Sequence, residues 1–172
     1  MTKVALDVPD GEWTCREQVV KPEWIDYSGH MNIGYYLLAF ELAAQDFFAF
    51  VDLSGAYRAR TDCAQFAVET HINFLREVKL GDRLRMTAQL LGFDEKRDRA
   101  FFRMYHAEEG YLAATNEVMY VHVDLKARRT APWPADARAR LEAVSAKHNL
   151  LPTPPQAGRA IGFPPKAKTE AS

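Results

Sequence analysis

Trp24-Ile25-Asp26-Tyr27-Ser28-Gly29-His30-Met31-Asn32 runs directly into Ile33-Gly34-Tyr35-Tyr36-Leu37-Leu38-Ala39-Phe40-Glu41-Leu42-Ala43-Ala44-Gln45-Asp46-Phe47-Phe48-Ala49-Phe50-Val51. The first part is polar and turn-like. The second is long enough for a helix and apolar on nearly all sides, which belongs in an interior. It stops short of the roughly 20 apolar residues of a membrane span, and Glu41, Gln45 and Asp46 interrupt it. The pattern therefore predicts a buried central helix, entered through a loop that carries Asp26, His30 and Asn32.

Working outward, Trp13 to Val20 mixes apolar and polar residues and reads as a first strand. Pro22 ends its pairing, because proline supplies no ladder donor. Beyond the helix, Asp52 to Cys63 is a polar connector with room for one short helical turn. From Ala64 the period becomes two: Phe66, Val68, Thr70, Ile72 and Phe74 alternate with Gln65, Ala67, Glu69, His71 and Asn73. Arg83–Phe93 is the next strand, with Leu84, Met86, Ala88 and Leu90 on one face, followed by Arg99–His106 and Tyr111–Asp124. Arg128-Arg129 and Pro132-Trp133-Pro134 then break the sheet. Ala135 to Lys147 reads as a C-terminal surface helix with Leu141 and Val144 inward, and Pro134 suits its start.

Consecutive strands after one helix predict an α+β fold, an antiparallel sheet curled around the central helix. Residues 13–148 form the domain, 1–12 a loose lead-in, and 149–172 a Pro-rich extended or disordered tail. An open sheet leaves edge strands, and pairing with a second copy is a natural way to cover them. The expected assembly is a homodimer, or a homotetramer built from it.

The totals narrow the classes. At 172 residues with 48% hydrophobic and 26% charged residues, the composition is that of a globular domain. A net charge of −1 gives no electrostatic case for nucleic acid or an anionic membrane. Cys15 and Cys63 are isolated, and His106 and His122 lack ligand spacing, so no metal site is expected. Met1 to Asp7 lacks the apolar run of a signal peptide, which makes the cytoplasm the expected compartment.

Asn32 is the natural N-cap of the helix, six residues too late for Asp26 to fill that position. Asp26 is then a turn former or a free carboxylate for chemistry, and His30 a satisfied loop histidine or its orienting partner. The first-turn amides near Asn32, Ile33 and Gly34 point unpaired N–H groups outward at a positive dipole end. Carboxylate, imidazole and oxyanion donors together suit acyl transfer. Ser54 has no G-x-S-x-G context and Cys63 no histidine at a pairing distance in sequence, which speaks against a serine or cysteine hydrolase.

Asp26-x-x-Gly29-His30-x-Asn32-x-x-x-Tyr36-x-x-x-Phe40-Glu41, with Leu80-Gly81-Asp82 before the second long strand, resembles hot-dog-fold acyl-CoA thioesterases of the 4-hydroxybenzoyl-CoA thioesterase type. The resemblance covers about residues 13–148. It implies a site at a dimer interface and an Asp26 acting as nucleophile or as general base on water. It also implies a thioester carbonyl held by the backbone N–H of Ile33 or Gly34. No cofactor is implied; coenzyme A arrives as part of the substrate.

A narrower resemblance, to the betainyl-CoA thioesterases associated with carnitine breakdown, rests on Lys21 to Asn32, Met104 to Glu117, and Arg128-Arg129 followed by Pro132. It implies a trimethylammonium group, which favours aromatic faces. Trp24, Tyr27, Tyr35 and Tyr36 are the candidate faces, with Glu41 or Glu69 to balance charge; mid-strand Thr70 is a candidate for substrate contact or for core or dimer packing. Arg76, Lys79, Arg128 and Arg129 are candidates for the coenzyme A phosphates. Two other readings stay open: a dehydratase or hydratase on the same fold, and a non-catalytic acyl-CoA binder.

Overall fold

The computed structural model describes residues 10–163. The first nine residues of the lead-in, and Pro164 and Pro165 with the rest of the tail's end, lie outside them. In chain order the elements are β1 (Trp13–Thr14), β2 (Gln18–Val19), a 3-10 turn (Pro22–Trp24), α1 (Ile33–Phe50), α2 (Gly55–Thr61) and β3 (Cys63–Phe74). They continue with β4 (Arg83–Phe93), β5 (Arg97–His106), β6 (Leu112–Asp124), β7 (Arg129–Thr130) and α3 (Ala135–His148). All pairings are antiparallel, in the order β1-β4-β5-β6-β3, with β2 also on β4 and β7 on β6.

The sheet curls around α1. Leu84, Met86, Ala88 and Leu90 of β4 share the inner face with Ala100, Phe102 and Met104 of β5, all of them buried. Ala39, Ala43 and Ala44 bring the helix close to the sheet, and Phe47 packs edge-on against Phe102.

Four expectations need correction. The helix is not buried on all sides: Ile33, Leu37, Leu38, Glu41, Gln45 and Ala49 are exposed along one flank. The first strand is two short pieces, because the register slips by one residue between Trp13 opposite Ala88 and Gln18 opposite Leu84. There the Arg16 amide donates to Asp46 Oδ2 at 3.0 Å instead of entering the ladder. The sheet does not end at Arg128-Arg129: Arg128 takes a left-handed turn and Arg129–Thr130 pairs back onto β6. The third long strand starts at Arg97, since Asp94 caps the preceding turn through the Lys96 and Arg97 amides.

β3 lies at the sheet edge although it follows α2 directly, and it leaves Phe66, Val68 and Phe74 exposed. The helix α3 buries Ala137, Leu141, Val144 and His148, packing mainly on β4. Part of the tail is tied to the sheet: the Gly158 amide donates to Glu117 at 2.6 Å and Pro154 is buried. Cys15 and Cys63 are free thiols, and burial pushes that of Cys15 up to about 12. No helix among the described residues is long and apolar enough to cross a membrane.

Candidate active site

The loop before α1 is a small closed hairpin. Ile25 and Met31 form a bridge, the Asp26 amide donates to the His30 carbonyl at 2.9 Å, and the Asn32 amide donates to the Trp24 carbonyl at 2.9 Å. The Gly29 amide returns to the Asp26 carbonyl at 3.0 Å with φ of 81°, a left-handed position that glycine takes without strain. Trp24 anchors the base of the loop in the core.

Asp26 sits at the tip. Its Oδ1 accepts from the Ser28 amide at 2.8 Å and from the Ser28 hydroxyl at 2.5 Å. These two bonds, the hydroxyl first, hold its carboxyl below the usual carboxylate range, with smaller help from the His30 amide and ring. Asp26 is therefore both a turn former and an ionised carboxylate.

Ser28 Oγ also lies 3.1 Å from His30 Nδ1, and His30 Nε2 lies 2.9 Å from Glu77 Oε2. The result is one chain of side chains, Asp26–Ser28–His30–Glu77, across the loop and the segment after β3. That segment is fixed by Val78, which is buried, and by the Tyr111 hydroxyl, which donates to the Glu77 carbonyl at 2.8 Å. Sequence reasoning picks out neither Ser28 nor Glu77 as a functional residue. Ser28 lies within the Asp-x-x-Gly-His-x-Asn motif, but Glu77 is far from His30 in sequence and no spacing links them.

Asn32 caps α1 as expected, accepting from the Gly34 amide at 2.9 Å. That bond occupies the Gly34 donor. The Tyr35 amide is taken by the Asn32 carbonyl, so Ile33 is the first-turn amide left without a partner among the described residues.

The aromatic candidates do not meet in one box within a protomer. Trp24 is buried and stacked on Tyr35 with ring centroids 5.8 Å apart. Tyr27 is wholly exposed, and Tyr36 packs edge-on against Phe74. Glu41 is exposed on the open flank of α1. The Thr70 hydroxyl donates to Asn116 Oδ1 at 2.6 Å across the β3–β6 pair. Its neighbour Glu69 lies in a small hollow with His71, Arg99 and Glu117.

Arg76 and Lys79 flank Glu77, with Arg76 over the Tyr111 ring and 3.3 Å from Glu109, and Lys79 3.7 Å from Glu77. Arg128 and Arg129 lie at the other end of β6, roughly 40 Å along the strand at ~3.3 Å per residue. Among the described residues no group of His, Cys, Asp and Glu is placed to hold a metal ion.

Comparison with known proteins agrees with this fold. The chain is 40% identical over 152 residues to a betainyl-CoA thioesterase of Pseudomonas aeruginosa, covering 88% of this chain and 96% of that one. It is 39% identical over 143 residues to an L-carnitine dehydrogenase/betainyl-CoA thioesterase of Rhizobium meliloti, covering 83% of this chain but 29% of that longer protein. Among solved structures, a hypothetical protein from Staphylococcus aureus in complex with CoA superposes with a TM-score of 0.82 at 28% identity, covering 90% of this chain and 96% of that one. A 1,4-dihydroxy-2-naphthoyl-CoA thioesterase from Synechocystis gives a TM-score of 0.67 at 23% identity, covering 76% and 96%, a likeness of fold. The architecture is the hot-dog fold. The model of the thioesterase-like superfamily matches residues 20–141, and the chain belongs to that superfamily.

Proposed function

We propose that this chain hydrolyses the thioester of a small acyl-CoA to the free acid and coenzyme A, with betainyl-CoA the leading substrate. The observation that carries the reading is the ionised Asp26 carboxylate, held at the entry to α1 in the same loop as the unpartnered Ile33 amide. In this mechanism the carbonyl oxygen points at the Ile33 N–H and the positive end of α1, where developing negative charge is stabilised. Asp26 attacks the carbonyl carbon and expels the thiolate, and water then cleaves the resulting anhydride; alternatively, Asp26 takes a proton from an attacking water. A lowered pKa keeps the carboxylate charged for either route. His30, braced by Glu77, holds Ser28 and through it Asp26.

The active form in this reading is a homodimer joined along β3, and it uses no metal or redox cofactor. A two-fold axis across β3 reverses the strand, so Arg76 and Lys79 come from the protomer that supplies Asp26. Arg128 and Arg129 then approach from its partner, toward the coenzyme A phosphates. Support for the betainyl group is the 40% identity to a relative whose length the chain covers at 96%.

Free-thiol release from betainyl-, acetyl-, butyryl-, benzoyl- and 4-hydroxybenzoyl-CoA tests the reading. Activity with a preferred small acyl group is expected, falling by about 100- to 10,000-fold in Asp26→Asn and Asp26→Ala. Hydrolysis that survives both substitutions removes the site. No release from any thioester removes the function.

A further inference from the structure

A cleft of about 560 Å³ runs between the C-terminal half of α1 and the start of β3. Phe48 and Tyr120 line it, with their rings edge to face and centroids 4.8 Å apart. Glu41 and Gln65 line it too. Behind Gln65 lies Asp98 of β5, opposite Tyr120 in the sheet register and only 1% exposed. Gln65 Nε2 donates to Asp98 Oδ1 at 2.8 Å, while Asp98 Oδ2 and Gln65 Oε1 have no partner among the described residues. Burying acceptors without partners is costly, and a carboxylate more so than an amide. Tyr120 stands between the two acids: burial first, then the charges of Glu41 and Asp98, keep its hydroxyl protonated.

At the Phe48–Tyr120 end the cleft offers two aromatic faces and the exposed Glu41 carboxylate, with the buried Asp98 carboxyl and its idle oxygen behind Gln65. Arg16 also lines the cleft, but its guanidinium is engaged by Asp46 at 2.6–3.0 Å. Arg58 lies where this cleft meets a second one that reaches Lys126, a side suited to phosphate. We propose that the cleft recognises the cationic head of the acyl group, a quaternary ammonium, through the rings of Phe48 and Tyr120 and the carboxyls of Glu41 and Asp98. A diffuse, donor-free cation matches ring faces and a carboxyl screened behind Gln65 better than a compact ammonium does.

The proposal rests on the thioesterase reading and on the β3-to-β3 dimer. Within one protomer Glu41 stands eight residues along α1 from Ile33, about 12 Å at 1.5 Å per residue. In a betainyl group the nitrogen is only one methylene from the thioester carbonyl, so a protomer's own cleft is out of reach. The proposed two-fold reverses β3 and offers the partner's cleft in its place. It sets the Phe74 end, which packs on Tyr36 beside one loop, next to the Ala64–Ala67 stretch that lines the partner's cleft.

The test compares kcat/KM for betainyl-CoA and for 3,3-dimethylbutanoyl-CoA, its neutral carbon isostere, in the wild-type protein and in Glu41→Gln and Asp98→Asn. The wild type is expected to prefer the cation by about 100-fold, and each variant to lower that ratio about ten-fold. A wild type that turns over both equally overturns the cation site and leaves the hydrolase reading intact. So does a ratio that neither substitution moves. A wild type that hydrolyses neither thioester overturns the cation site, and the hydrolase reading falls with it only if the other acyl-CoA thioesters also release no thiol.

Discussion

Asp26 does two jobs with one side chain. Its Oδ1 closes the turn through Ser28, and its other oxygen is left for the proposed attack or proton transfer. Asp98 is the opposite case, a carboxyl whose burial costs stability. Burial pushes it up to about 7 from an ordinary 3.8, and the Gln65 bond offsets only part of that. A value raised on folding means the native state prefers the protonated form. The contribution to stability is full below about 3.8 and lost as pH rises through about 7. Asp98→Asn keeps an acceptor for Gln65 and carries no charge. It should unfold at higher urea than wild type at pH 8 and match it near pH 4. The gain at pH 8 is on the order of 4 kcal/mol, since each pH unit between the unfolded and folded values is worth ~1.36 kcal/mol. Equal midpoints at pH 8 would sink the account. At this scale the motif made the loop around Asp26, His30 and Asn32 legible, because each of them bonds at least one group within two residues of itself. Glu77 and Asp98 were not legible, since His30 and Gln65 reach them only through the tertiary fold. Gly34 was misleading: its amide is consumed by the very cap that the sequence predicted.

Helix α3 is held at its end by a histidine acting as a backbone acceptor. His148 Nδ1 takes the Leu90 amide at 2.8 Å, and its ring stacks on Phe47 with centroids 6.3 Å apart. Desolvation lowers its pKa from 6.5, against smaller opposing effects from the charge of Glu12 and the Gly11 backbone. A lowered value means the folded state prefers the neutral ring. Its contribution is therefore full above 6.5 and lost as pH falls below that toward the folded value. Protonation also removes the acceptor and leaves a buried amide unpaired, at a cost of about 1–3 kcal/mol. His148→Asn keeps an acceptor at the Nδ1 position and cannot titrate. Wild type should lose thermal stability relative to this variant as the buffer goes from pH 7 to pH 5; parallel curves would count against the assignment. Element by element, α1, α3 and the four long strands were legible from their periods. The bulge between β1 and β2 was not, because Asp46 on a distant helix captures the Arg16 amide. The return of Arg129–Thr130 to the sheet was hidden by a left-handed Arg128 that no pattern marks.

For the whole molecule, the unfinished surface is the informative feature. Ile33, Leu37 and Leu38 on α1 and Phe66, Val68 and Phe74 on β3 are exposed together on the side where the sheet ends. The sequence showed all six as apolar and assigned Ile33, Leu37 and Leu38 to a buried helix. The edge position of β3 explains why they are outside, since a strand that follows α2 in the chain lands beside β6, farthest from β4. In the dimer proposed above, a second copy paired along β3 would cover them, continue the ladder and bring the loop carrying Asp26 to a neighbour's cleft. Placing a charge there tests all three consequences at once. Phe66→Asp with Val68→Asp should convert a species of twice 19.5 kDa into one of 19.5 kDa on gel filtration with light scattering. Thiol release should fall with it, although Asp26, His30 and Glu77 are untouched, while the circular dichroism spectrum of the sheet remains. If the variant stays dimeric, the interface is elsewhere. If it becomes monomeric and keeps full activity, each protomer contains a complete site, and neither the approach of Arg128 and Arg129 nor the cleft behind Tyr120 takes part across the two-fold.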